Sequence, residues 1–185
     1  MKNPINKLTT YVIVFSLGSI CLLTSGCQFQ IHQHNTLPNN FYKISDDLFR
    51  SEQPTAKEMQ YLEKIGIKTV INLRKWHSDQ HELSKTKLTE VSIKMRAGKI
   101  TDEKVVAALR TIRHSQKPIL IHCWHGSDRT GVIVAMYRIV FQNWTKSQAI
   151  DELMQPQFRH HYNVYPNIVR YIEHVDVEKI RAAVF

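Results

Sequence analysis

Cysteine is scarce in these 185 residues: Cys21 and Cys27 lie near the start, and Cys123 alone stands in the body of the chain. A framework of internal disulfides is therefore excluded, and a single unpaired thiol is either packed away or reactive. Glycine and proline are also few, six of each. No tract of either marks a hinge and no repeat is visible, so one domain with one core is expected. Acids are outnumbered, 16 against 25 Lys and Arg, leaving a formal charge of +9. That balance favours anionic partners without choosing among nucleic acid, lipid headgroups and phosphorylated substrates. Histidine is plentiful, and His77 and His81 are spaced to share a helix face. No second cysteine or paired acid completes a zinc signature, so neither metal nor cofactor is expected.

A long hydrophobic run is missing too. The apolar stretch "YVIVFSLGSICLL" (residues 11–23) is shorter than the roughly 20 residues a membrane span needs. Lys2 and Lys7 precede it and "TSGC" follows, the parts of an export signal. The segment resembles a bacterial lipoprotein signal, with Thr24 where an aliphatic residue is usual. That resemblance implies cleavage before Cys27 and lipidation of its thiol. The alternatives are an uncleaved anchor and a buried N-terminal helix. The expected organisation is a signal peptide at 1–26, a tether at 27–40 and a domain at 41–185. Gln28 after Cys27 leans towards the outer membrane, so an envelope protein, outer-membrane or periplasm-facing, is expected. Without Lys2 and Lys7 the chain stays basic.

"FYKI" and "LFR" read as a small hairpin, and Thr55 with Glu58 as the capping box of a helix carrying Met59, Leu62 and Ile65. "IKTVINL" is a β-branched strand. Residues 74–90, polar and charged, read as a surface helix with irregular ends, and "VSIKM" as a strand. Thr101 opens a helix with Asp102 and Glu103 in its first turn, and Pro118 precedes "ILIH", a strand suited to burial on both faces. Helices follow from about Arg129, from Thr145, and as one last helix in "PNIVRYIEHVDVEKIRAAV". The fold class is α/β: three layers, a central, mostly parallel sheet of about four to five strands flanked by helices. Ligands of such sheets bind beyond the carboxyl ends of the strands. Cys123 falls there, and Arg74 and Lys75 share that edge.

The stretch "HCWHGSDRTG" carries the chemistry. A strand, a short loop and a helix start can curl backbone N–H groups round one anion, with the helix N-terminus adding positive potential. Arg129 can hold two phosphate oxygens with its planar fork. Gly126 permits a backbone angle or close approach that a side chain would block. The same field favours sulfur as thiolate. A thiolate beneath a phosphate held by Arg129 is placed for in-line attack on phosphorus.

"HCWHGSDRTG" resembles the His-Cys-five residues-Arg-Ser/Thr loop of cysteine-dependent protein tyrosine and dual-specificity phosphatases. "LFRSEQPT", "GIKTVINLR" and "KPILIHC" extend the likeness to their compact atypical members from bacteria, plants and fungi, over about residues 41–172. The resemblance implies a phosphotyrosine phosphatase-like fold, a phosphocysteine intermediate on Cys123, phosphate binding by Arg129, support of the thiolate by Thr130, and no metal. Trp124, His125, Gly126, Ser127 and Thr130 are the expected substrate-binding positions, and His122 supports the loop. The substrate is expected to be a phosphorylated protein or a small-molecule or lipid phosphate.

The proton donor has two candidates. Asp102 matches the position the compact members use, against the reading that it complements a helix N-terminus. Asp128 matches an aspartate in the similar loop of myotubularin-type phosphoinositide phosphatases, against the reading of an N-cap. Other functions stay open: a catalytically silent phosphate-binding module, and a phosphoinositide or inositol-phosphate phosphatase. Rhodanese-like loops fit less well. "RHHYNVY" (residues 159–165) mixes basic and aromatic residues as a nucleic-acid surface does, but a loop packed on the last helix is preferred and no nucleic acid is expected.

Overall fold

The structure, a computed structural model, is described for residues 37–185; the export signal, Cys27 and the first part of the expected tether lie outside the described residues. Five strands, β1 (Tyr42–Lys43), β2 (Leu48–Ser51), β3 (Thr69–Arg74), β4 (Thr89–Met95) and β5 (Ile119–His122), form one sheet in the order β1-β2-β5-β3-β4. The β1–β2 hairpin is antiparallel and every other pairing is parallel. Side chains alternate between two cores, as a strand's period of two requires. Ile71, Leu73, Ile119 and Ile121 face the larger core, with α3 (Asp102–His114), α4 (Asp128–Gln142), α5 (Lys146–Leu153), α6 (Pro166–His174) and α7 (Val177–Val184). Val70 and Leu120 face the smaller one, with Met59 and Leu62 of α1 (Ala56–Lys64) and Leu83 of α2 (Gln80–Leu83). The three-layer α/β expectation is met.

β5 is buried along its whole length between β2 and β3. Its register sets Ser51 and Asn72 level with His122 at the carboxyl edge, so the residues after β2, β3 and β5 surround one spot. α4, apolar nearly all round, is buried from Thr130 to Tyr137, as a central helix must be. Both capping boxes form: Glu58 N donates to Thr55 Oγ1 at 3.3 Å while Thr55 N donates to the Glu58 carboxylate at 2.7 Å, and Thr145 pairs likewise with Gln148.

Three expectations need correction. The surface helix of residues 74–90 is only the single turn α2, because Asp79, fully buried, is drawn inward by His122 and Gln53. The last helix is two, α6 and α7, because the Asp176 carboxylate accepts from Lys179 N at 3.0 Å and caps a fresh start. The end of the tether belongs to the domain. Leu37 packs on the smaller core, Asn39 O accepts from Glu52 N, and Asn40 Nδ2 donates to the His125 carbonyl at 2.9 Å.

Candidate active site

Cys123 is a free, buried thiol at the first position beyond β5. Residues 124–127 wrap round to the first turn of α4. Among the described residues no backbone N–H of this loop meets a protein acceptor, although unpaired N–H groups are rarely left inside a fold. No side chain caps α4 either, whereas Thr55, Thr101, Thr145 and Asp176 cap α1, α3, α5 and α7. The loop therefore offers a ring of uncommitted donors at a helix N-terminus, beside a sulfur. Arg129, at the second position of α4, adds its guanidinium, and the Thr130 hydroxyl is buried and uncommitted.

Three buried attachments hold this loop. Gly126 adopts φ +68°, and a Cβ there would lie against the Ser51 carbonyl and 2.7 Å from Glu52 N. Only glycine lets the loop touch the backbone that follows β2. Arg50, buried in β2, donates to the Gly126 carbonyl at 2.6 Å and stacks over Phe158 at 4.3 Å. Burial pulls its guanidinium down to about 10, opposed chiefly by the proximity of Cys123. Behind Cys123, His122 Nε2 meets Asp79 Oδ2 at 2.7 Å, both side chains fully buried. Gln53 completes the frame: its amide donates to Asp79 Oδ1 at 2.9 Å, its N–H to the Trp124 carbonyl at 3.1 Å, and its amide oxygen accepts from Arg74 at 2.8 Å.

A cavity of about 560 Å³ opens above Arg129, with Lys75, Arg96 and Lys99 on its walls. A second, of about 320 Å³, adjoins it between Trp124, His125, Asp128, Arg129 and His161. Arg74 stacks on Trp124 at 4.2 Å, and burial together with the nearby Arg129 lowers its pKa. Among the described residues none of Arg74, Lys75, Arg96, Lys99 and Arg129 has a carboxylate partner. The expected substrate residues Trp124, His125, Gly126, Ser127 and Thr130 thus stand together, with His122 directly beneath them.

The two carboxylates fare differently. Among the described residues Asp102 is not in the lining of the two cavities at Arg129. It begins α3 and is tied to Lys179 Nζ at 3.0 Å and Tyr171 Oη at 3.0 Å. The Lys179 hydrogen bond, with help from Tyr171, holds its carboxyl below the usual range despite some burial. The segment that does overhang the cavity, Arg96 to Lys99, contains no acid. Asp128 is in the site but turned aside: Oδ1 accepts from His160 Nδ1 at 2.8 Å and His161 N at 3.0 Å, and Oδ2 from His161 Nδ1 at 2.8 Å. Burial pushes its pKa up, yet these bonds outweigh burial and hold it low.

His77 finds partners other than His81: with Asp79 and Glu82 it brings ligand-type atoms within 4.8 Å of one another, the one such grouping among the described residues. Arg50 and Asp79 went unassigned in the sequence. Arg50 had a signal, a charge on the strand face that Leu48 turns to the core; Asp79, in an irregular polar segment, had none.

The chain matches the tyrosine phosphatase family over residues 36–182. It is 33% identical over 146 residues to the dual specificity protein phosphatase TpbA of Pseudomonas aeruginosa, covering 78% of this chain and 66% of that one. It is 30% identical to the inositol diphosphatase DSP5 of Arabidopsis thaliana over 62% of this chain and 60% of that one. The chain thus spans 60% to 66% of the length of these relatives. The crystal structure of TpbA superposes with a TM-score of 0.72 at 32% identity, over 79% of this chain and 91% of the other. A cysteine-to-serine variant of TpbA in complex with phosphotyrosine gives 0.72 at 31%, over 78% and 90%. With the family model matched over most of its length, and a fold that superposes on TpbA, the chain belongs to the tyrosine phosphatase family.

Proposed function

We propose that the chain is a cysteine-dependent phosphatase that hydrolyses phosphate monoesters through a phosphocysteine. One observation carries the reading: a loop of uncommitted N–H donors joins Cys123 to Arg129 at the uncapped start of α4. Phosphate seated there meets N–H groups and a guanidinium on its equatorial oxygens, where charge gathers in the transition state. The sulfur attacks in line, the S–P bond forms and the ester P–O bond breaks. Water then attacks phosphorus, and the electron pair of the S–P bond returns to Cys123. No metal is required for either step. The test is hydrolysis of an aryl phosphate in chelator. Turnover that vanishes in Cys123→Ser, with vanadate still bound, supports the enzyme; vanadate binding without wild-type turnover returns the chain to a phosphate-binding module.

TpbA in complex with phosphotyrosine supports a phosphorylated protein as substrate. A second reading, a multiply phosphorylated small molecule, is favoured by the five cations round the cavities that have no carboxylate partner among the described residues, and by the inositol diphosphatases among the relatives. Clefts lined by one sign of charge concentrate such anions. Comparing kcat/KM for a phosphotyrosyl peptide and an inositol diphosphate separates the two. A preference for the inositol diphosphate that collapses in Lys99→Glu and at high salt favours the second.

We also propose that the chain is exported and carries lipid on Cys27, as a protein of the bacterial envelope. Support comes from the basic start, short apolar run and "TSGC" alone. No helix of the described residues is long and apolar enough to cross a membrane. Incorporation of labelled palmitate in wild type but not in Cys27→Ser tests it.

A further inference from the structure

Transfer of phosphate to Cys123 leaves an oxygen anion that needs a proton whenever the alcohol is a poor leaving group. Neither aspartate is suited to supply it. Asp102 is committed to Lys179 and Tyr171 and, among the described residues, is not in the lining of the two cavities at Arg129. Asp128 receives three N–H donors, and an ionised carboxylate is an acceptor only. Both imidazoles must therefore present Nδ1–H to it.

The two histidines are not equivalent. The His160 side chain is buried, 1% exposed, and its Nε2 has no partner among the described residues. His161 is 41% exposed and lines the cavity with Arg129, its ring centroid 5.4 Å from that of the loop residue His125. With Nδ1–H fixed on Asp128, the nitrogen left to exchange a proton is Nε2. A carboxylate held on Nδ1 in this way fixes a histidine's tautomer and ring orientation.

Resting on the phosphatase reading above, we propose that His161, oriented by Asp128, is the general acid and base of the reaction. As the S–P bond forms and the P–O bond breaks, the electron pair left on the ester oxygen takes the proton of His161 Nε2. In the second step the same nitrogen accepts a proton from the attacking water, while the S–P pair returns to sulfur. His161 ends as it began. The charged and titratable groups about its ring are Asp128 and Arg129 of α4, His125 of the loop, His160 beside it and Tyr165 across the cavity.

The test compares kcat/KM for phenyl phosphate and 2,4-dinitrophenyl phosphate in the full chain, His161→Gln and His160→Asn. The first leaving group needs a proton and the second does not. Expected for His161→Gln is a loss of about 10²–10⁴-fold on phenyl phosphate, near-wild-type rates on the dinitrophenyl ester, and disappearance of the basic limb of the pH profile. Retained dinitrophenyl turnover shows that the variant is folded. His160→Asn is expected to melt earlier but to keep the wild-type ratio between the two esters. Equal losses on both esters in His161→Gln, or the same split in His160→Asn, would overturn the assignment in favour of a positioning role for the Asp128 cluster. If wild type hydrolyses neither ester, the phosphatase reading fails first and this proposal with it.

Discussion

The contact between Gly126 and the Ser51 carbonyl can be weighed against an internal control. Gly66, just beyond α1, also holds a positive φ, +105°, but a Cβ there would have nothing within 4 Å. Gly66→Ala therefore incurs only the torsional cost of a left-handed alanine, about 1–2 kcal/mol. Gly126→Ala, at φ +68°, incurs that cost and a collision with backbone, which has no rotamer to escape into. Overpacking of this kind costs about 1–3 kcal/mol. The unfolded-chain entropy gained by losing a glycine, about 0.4–1 kcal/mol, is common to both and cancels in the comparison. Gly126→Ala should thus melt about 2–12 °C below Gly66→Ala, taking about 2–4 °C per kcal/mol for a domain of this size. Since the Gly126 carbonyl receives Arg50, displacement of the loop should also lower kcat/KM on an aryl phosphate at least about tenfold, while Gly66→Ala keeps wild-type activity. Scanning calorimetry and initial rates suffice. Equal melting temperatures, or full activity in Gly126→Ala, would refute the claim that this contact shapes the loop.

Three further predictions rest on the same frame. Arg50→Met leaves the Gly126 carbonyl buried without its donor, a cost of about 1–3 kcal/mol, and takes a cation from the sulfur's surroundings; the denaturation midpoint should fall, and kcat/KM by more than stability alone explains. Asp102→Asn loses an ion pair with the exposed Lys179, worth under about 1 kcal/mol. It should melt slightly earlier and hydrolyse aryl phosphate at the wild-type rate; a steep fall in kcat would restore Asp102 as the acid. Asp128 titrates below its ordinary 3.8 in the fold, so its stabilising contribution is complete above that pH and is lost as pH falls through the lower, folded value. The melting temperature of wild type should therefore drop below about pH 4, and Asp128→Asn should flatten that limb; parallel acid limbs would contradict the depressed pKa.

Strand, loop and helix could be read from the sequence at Cys123 because their physics is local. An apolar run that ends in cysteine, a glycine and an arginine at the head of a helix fix their own geometry within one short stretch. The partners that hold the loop come from elsewhere in the chain, and local pattern carries them weakly. Asp79 looked like one more polar residue in a charged segment; only the parallel pairing of β3 with β5 places that segment beside His122. Asp102 is the opposite case. An acid in the first turn of α3 fits a helix dipole as well as it fits catalysis, and the contacts that occupy its carboxylate, Tyr171 and Lys179, lie on α6 and α7 far along the chain. Arg50 was within reach. Leu48 faces the larger core and Phe49 the smaller, so strand alternation turns Arg50 inward with Leu48. A charge on the buried face of a strand violates patterning, and such violations persist where function maintains them. The inward arginine of "LFRS" is thus a second marker of the site, readable without the cysteine loop it secures.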